Sequence, residues 1–246
     1  MTQYLPAGRS TVLVPAPGSG PGWWAGAPAA VHDPAGGLVL AWRERHGHDG
    51  YDENVIARSP DGSTAEVVLR IRAEHFGARW IERPALVAVP GGWRLYVCLG
   101  YEGTKLWDIH LVESATLEGL ADAPHARTLW FGDEMGVKDP VLSPDGSVAI
   151  VCGHPLDIPG AEDRMISWSA RSADGRTWTW VRPLLEGTPG SWDARGARFT
   201  AWLPDGYAAY DGRASAEENW FERCGIAEAE GGRLVGTGEP VADLRY

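Results

Sequence analysis

The sequence predicts an all-β protein of the β-propeller class. Three observations carry this expectation. One strand-rich unit occurs four times, each copy carries a Pro-x-Gly turn at the same place, and no stretch has convincing helical periodicity. The turns are Pro34-Ala35-Gly36, Pro90-Gly91-Gly92, Pro144-Asp145-Gly146 and Pro204-Asp205-Gly206, with prolines 56, 54 and 60 residues apart.

Each unit reads as four short strands. The first precedes the turn: Gly26-Ala27-Pro28-Ala29-Ala30-Val31, Glu82-Arg83-Pro84-Ala85-Leu86-Val87, Lys138-Asp139-Pro140-Val141-Leu142 and Gly196-Ala197-Arg198-Phe199-Thr200. The second follows it, from Leu38 to Trp42, Leu95 to Leu99, Val148 to Cys152 and Tyr207 to Tyr210. A third run contains Val55, Ile109, Ile166 or Cys224, and a fourth contains Val67, Leu129, Trp180 or Leu234. Runs of β-branched and aromatic residues between Gly and Pro turns are strands, and four in succession make a meander. A meander cannot bury both faces alone, so the units must stack radially as blades. Their expected extents are 23–72, 79–132, 136–187 and 192–237. The segments 4–15 and 238–246 are expected to supply pieces of a fifth blade, giving a five-bladed plan with four complete blades and an incomplete or minimal fifth in one domain, 1–246. Ser172-Ala173-Asp174-Gly175-Arg176-Thr177-Trp178 resembles a shortened Asp-box, the turn between the third and fourth strands of sialidase-type blades; Ser59-Pro60-Asp61-Gly62 is a weaker version.

Composition narrows the function. Among 246 residues there are 32 Gly, 18 Pro and 13 Trp, which fits many turns and many aromatic plates for packing or for stacking on ligands. The net charge of −11 and the lack of a Lys/Arg cluster argue against a nucleic-acid partner. No apolar run approaches the roughly 20 residues of a membrane helix. Met1-Thr2-Gln3-Tyr4-Leu5-Pro6 has neither a basic start nor an apolar core, so a cytoplasmic protein is expected. Cys98, Cys152 and Cys224 are an odd set without metal-ligand spacing and read as free thiols. His46-Gly47-His48-Asp49 is the one local histidine cluster, in a loop too flexible for a metal site. No metal is expected, and without a glycine-rich phosphate loop no cofactor is either. The sequence carries no signal for an oligomeric state.

Trp23-Trp24-Ala25-Gly26-Ala27-Pro28, Ile81-Glu82-Arg83-Pro84-Ala85-Leu86, Val137-Lys138-Asp139-Pro140-Val141, Tyr210-Asp211-Gly212-Arg213-Ala214-Ser215 and Glu218-Asn219-Trp220-Phe221-Glu222-Arg223 resemble a bacterial glycosyl-hydrolase-like group. It belongs with the five-bladed propellers of glycoside hydrolase families 43, 32 and 130. The resemblance implies a carbohydrate or other small glycoside as partner, bound in a central axial pocket.

In a propeller the first strand of each blade lines the axis, so polar residues at those strand starts converge. Glycosidases of this architecture use carboxylates from different blades, one as general acid and one to activate water or attack the anomeric carbon. Glu82, Asp139 and Asp193 are the catalytic candidates. Related enzymes carry a transition-state-stabilising Asp where Asp139-Pro140 stands. Blade one departs from them, since Gly26-Ala27-Pro28 supplies no carboxylate. Trp24, Arg83, Lys138, His154, Trp192, Arg195, Asp211, Glu222 and Arg223 are the candidates for substrate binding. The arginines leave room for an anionic substrate, or for phosphate in a phosphorolytic reaction. Glu82-Arg83 equally suits an inner-ring ion pair, and Asp211-Gly212 equally suits a turn. The expected activity is cleavage of a glycosidic bond; the alternative is a non-catalytic carbohydrate-binding or scaffold propeller.

Overall fold

A computed structural model describes residues 11–243 except 162 and 220. Within them lie four antiparallel blades. Blade one comprises β1 (Trp23–His32), β2 (Leu38–His46), β3 (Asp52–Ser59) and β4 (Glu66–Arg72), paired in that order. Blade two has β5 (Trp80–Ile81) and β6 (Ala85–Val89) side by side on β7 (Gly92–Gly100), then β8 (Trp107–Ser114) and β9 (His125–Leu129). Blade three runs β10 (Met135–Leu142), β11 (Val148–Pro155), β12 (Ile166–Arg171) and β13 (Thr179–Leu185). Blade four runs β14 (Gly196–Trp202), β15 (Tyr207–Arg213), β16 (Arg223–Glu230) and β17 (Arg233–Gly236).

The five-bladed plan needs correction. Among the described residues there are four blades, and Thr11–Val14 forms no strand. At the other end β18 (Ala242–Asp243) starts no new blade. It pairs with β16 through Arg223–Asp243 and Cys224–Ala242, beyond the point where β17 leaves that strand. β18 therefore continues the outer edge of blade four. Residues 4–10 and 244–246, also assigned to the fifth blade, lie outside the described residues. No described helix is long and apolar enough to cross a membrane.

The innermost strands of blades one to three are kinked where the sequence places Pro, whereas β14 shifts register between Phe199 and Ala201 without one. Proline has no N–H for the ladder, so it occurs at breaks and bulges of a sheet. β1 shifts register between Gly26 and Ala29, and β10 between Lys138 and Val141. In blade two the break at Glu82-Arg83-Pro84 splits the strand into β5 and β6. Ala27 (φ 51°) and Asp139 (φ 55°), each just before Pro, take the left-handed conformation, which non-glycine residues adopt at an energetic cost. Ala27 can do no acid–base chemistry, so this backbone belongs to the bulge and not to catalysis.

Three apolar seams hold neighbouring blades face to face. Ile56, Ile71, Leu86, Leu95 and Leu99 join blades one and two. Tyr96, Ile109, Val137 and Val151 join blades two and three. Ile150, Leu185, Phe199 and Tyr210 join blades three and four. First strands of all four blades surround one axial groove of about 550 Å³, with Ala30 and Val31, Leu86 and Val87, Pro140 and Val141, and Ala201 and Trp202 among its walls. Its lining is mainly apolar, with His32 and Arg83 as the titratable exceptions; most of the buried charged residues lie elsewhere.

Candidate active site

Upstream of the kinks in β10 and β14, Lys138 and Arg198 project into a common space. A cavity of about 320 Å³ opens there, lined by Lys105, Trp107, Lys138, His154, Asp163, Met165, Arg198, Arg213, Asn219 and Glu222. Four of these are Lys or Arg and two are carboxylates. In a chain of net charge −11, that is a local reversal of sign.

Beneath the cavity lies a network of buried ion pairs. Arg198 donates from Nη1 to Asp139 Oδ2 and from Nη2 to Asp211 Oδ2, both at 3.2 Å. Arg43 donates from Nη2 to Asp52 Oδ2 at 2.8 Å and from Nη1 to Glu82. Arg213 donates from Nη1 to Glu222 Oε1 at 3.3 Å and also to Asn219. A charge in low dielectric persists only when paired or hydrogen-bonded, and here Arg43–Glu82 and Arg198–Asp139 also tie one blade to the next.

The carboxyl groups are tuned apart. Burial would raise Asp139, but Arg198, Lys138, Arg83 and Arg43 outweigh it and hold its pKa at about 2. Asp139 is an ionised carboxylate throughout the physiological range. Glu222 goes the other way: burial raises it above its ordinary value and prevails over Arg198 and Arg213. Two carboxyls with opposed shifts at one pocket are the pattern of an acid with an ionised partner. Burial works against the Lys138 ammonium too, yet Glu82 and Asp139 hold its pKa above the ordinary value. His154 is lowered to about 4, by burial first and by Lys138 second, so it is neutral imidazole at pH 7.

The backbone makes room for this histidine. A Cβ on Gly136, which faces His154 across β10 and β11, would come within 2.4 Å of His154 Nε2. His154 Nε2 lies 3.4 Å from the Lys105 carbonyl, while Nδ1 is buried without a partner. Arg198 Nε and Arg213 Nε are likewise buried and unpartnered. Buried polar atoms are nearly always satisfied, so three orphans around one cavity point to a polar ligand or to water.

The residues read from the sequence divide into three groups. Lys138, His154 and Glu222 line the cavity, and Asp139 and Asp211 lie beneath it on Arg198. Glu82, Arg83 and Trp24 are near the axis toward blade one. Glu82 is held by Arg43, its carbonyl accepts from Asn54 Nδ2 at 2.9 Å, and Arg43 stands over the Trp24 ring at 5.0 Å. Asp193, Trp192, Arg195 and Arg223 belong to the packing and edge of blade four. Asp193 accepts from Tyr210 Oη at 3.0 Å and from the Thr188 amide at 3.0 Å. Trp192 stacks on Tyr210 at 5.4 Å and donates to the Gly238 carbonyl at 2.7 Å. Gly212 makes room for that ring, since a Cβ there would meet it at 2.8 Å. Arg195 pairs with Asp163, and Arg223 with Glu218 at 2.7 Å. Sequence reasoning missed Arg43 and, of the cavity lining, Arg198, Lys105, Trp107, Asp163, Met165, Arg213 and Asn219. Arg198 was legible as the one charged residue in the first strand of blade four. Arg43 lies in a second strand, where axial residues are not sought. Cys98 and Cys152 are buried beneath the site, and burial raises both thiols.

This arrangement defines a class by architecture: propellers with a charged cavity lined by residues of neighbouring blades, here blades two, three and four. No family model matches the chain, and no curated protein matches it. Solved structures do. A β-1,2-mannobiose phosphorylase from Listeria innocua, in complex with β-1,2-mannobiose, is 14% identical at a TM-score of 0.59, over 88% of this chain and 78% of that one. A GH43_1 enzyme from Xanthomonas citri, in complex with xylotriose, is 12% identical at 0.57, over 86% and 72%. The GH32 β-fructofuranosidase BmSUC1 of Bombyx mori is 16% identical at 0.55, over 86% of this chain and 50% of that one. The chain has the fold of the propeller glycoside hydrolases and phosphorylases.

Proposed function

We propose that this protein cleaves a glycosidic bond in the cavity around His154 and Glu222, with Glu222 as general acid. The opposed tuning of Glu222 and Asp139 carries the reading. Glu222 in its protonated form donates to the leaving oxygen as the bond to the anomeric carbon breaks. Asp139 stays ionised and balances Arg198 and Lys138. The excess of Lys and Arg favours an anionic reactant, which makes phosphate a suitable nucleophile in place of water. The bond from phosphate oxygen to the anomeric carbon then forms as the glycosidic bond breaks, giving a sugar 1-phosphate.

A second reading is a propeller that binds a carbohydrate without cleaving it. Ala27 at the bulge of blade one and the pairing of Glu82 with Arg43 favour it, because they remove two carboxylates from the chemistry. The two readings separate in a panel of mannosides, xylosides and fructosides with and without phosphate. Turnover by the wild type that falls at least 100-fold in Glu222→Gln and Asp139→Asn supports the enzyme. Saturable binding with no turnover supports the binding propeller.

A further inference from the structure

Three of the seven histidines are far apart in sequence yet gather on blade two. His110 lies on β8, His125 opens β9, and His75 lies in the 3-10 turn Ala73–Phe76. Across the ladder His110 faces Arg127, so His125 is its diagonal neighbour on the same side of the sheet. The Nδ1 atoms of His110 and His125 are 2.9 Å apart. We propose that this pair is a binding site for a divalent transition-metal cation of the Cu²⁺, Ni²⁺ or Zn²⁺ class.

The spacing fits. With metal–nitrogen bonds of about 2.0–2.1 Å, two imidazole nitrogens at right angles around one ion lie about 2.9 Å apart. Tetragonal Cu²⁺ and Ni²⁺ prefer that angle. The far side of His110 is built as the outer shell of a metal-bound histidine is. Its Nε2 lies 3.3 Å from Asp108 Oδ1 and 3.2 Å from the Tyr101 hydroxyl, which itself donates to Asp108 Oδ1 at 3.0 Å. A carboxylate there places the His110 proton on Nε2 and leaves the Nδ1 lone pair facing His125. Asp108 is buried at 2% exposure and is further fixed by Arg127 at 3.6 Å.

His125 packs edge-on against Phe76 at 5.1 Å, and His75 packs on the same ring at 5.0 Å. Without metal, the His125 Nδ1–H donates to His110. Moving that proton to Nε2 of His125 frees both lone pairs for the ion, with no net change in protons. His125 is exposed, so water can fill the remaining coordination positions. The site lies on the β8–β9 ladder, apart from the cationic cavity, and does not depend on the proposed activity.

The test uses untagged protein titrated with NiCl₂ and CuCl₂ by calorimetry, with electron paramagnetic resonance of the Cu²⁺ form. One equivalent should bind, with two nitrogen couplings in the spectrum. His110→Gln and His125→Gln should each weaken binding at least tenfold and remove one coupling. Asp108→Asn should weaken it by roughly 10–100-fold with both couplings retained. Thermal melts establish that each variant is folded; the exposed His125→Gln is the variant expected to melt as wild type. No binding by the wild type, or binding unchanged in His125→Gln, overturns the proposal. So does binding lost instead in His46→Gln, which would place the ion at Glu44, His46 and Glu53, where Arg70 already bridges the two carboxylates.

Discussion

Glu222 and Asp139 both lie in the field of the same arginine, Arg198, and differ because of what surrounds them. Asp139 is ringed by four cations, whereas burial dominates at Glu222. Two pH dependences follow, with opposite signs. For Asp139 the folded-state pKa is depressed, so its stabilising contribution is complete above the unfolded value of about 3.9 and is lost as pH falls toward about 2. Melting temperature should therefore drop steeply between about pH 4 and pH 2, and Asp139→Asn should flatten that drop. For Glu222 the folded pKa is raised, so its contribution is complete below the unfolded value of about 4.3 and is lost as pH rises through the folded one. Activity should follow the protonated form of Glu222 and decline on the alkaline side of that titration; a pH–rate profile from pH 3 to 8 measures it. Arg198 is the residue both acids share through the network. Replacing it with Met leaves Asp139 and Asp211 buried without their partner, at a cost of about 3–5 kcal/mol in denaturant unfolding.

At the scale of the element, the inner strands of blades one to three owe their shape to x-Pro kinks, which were readable as sequence because proline cannot serve a ladder; the bulge at Phe199–Ala201 of β14 has no such mark. The turns were readable for a similar reason. In Ser172–Trp178, Asp174 Oδ1 accepts from the Arg176 and Thr177 amides at 2.8 Å, and burial of Trp178 against Tyr96 closes the hairpin onto the neighbouring blade. Tyr96 of β7 donates to the Gly175 carbonyl at 2.8 Å, stitching blade two to this turn of blade three. Tyr96→Phe removes that bond at a buried site and should cost about 1 kcal/mol in chemical denaturation. Gly175 has φ +69°, and a Cβ there would meet the Tyr96 hydroxyl at 3.0 Å and Arg94 Nη1 at 2.1 Å. Ala at this position should therefore destabilise more than the Phe variant does. What the sequence could not reveal is pairing between strands and between blades. Arg43, Arg198 and the His110–His125 pair are brought to their partners by register and stacking, and no local spacing announces them.

For the whole molecule, the repeat was legible because each blade must bury two faces and so repeats the same apolar grammar. The blade count was less so. Ala242–Asp243 is strand-like in sequence whether it opens a fifth blade or continues an edge, and only its pairing with β16 decides. The axis carries the same lesson: strand starts locate a site, but where its polar residues gather depends on register and stacking. Here the groove among all four first strands is mainly apolar, and the cationic cavity lies among blades two, three and four. The central claim is that the cationic cavity cleaves a glycosidic bond with Glu222 as acid. The most direct test is ³¹P nuclear magnetic resonance of oligosaccharide incubated with inorganic phosphate and either wild type or Glu222→Gln. The account predicts a sugar 1-phosphate resonance that grows with the wild type and is absent with the variant. An equal resonance from both proteins, or bound oligosaccharide recovered intact from the wild type with and without phosphate, would contradict it.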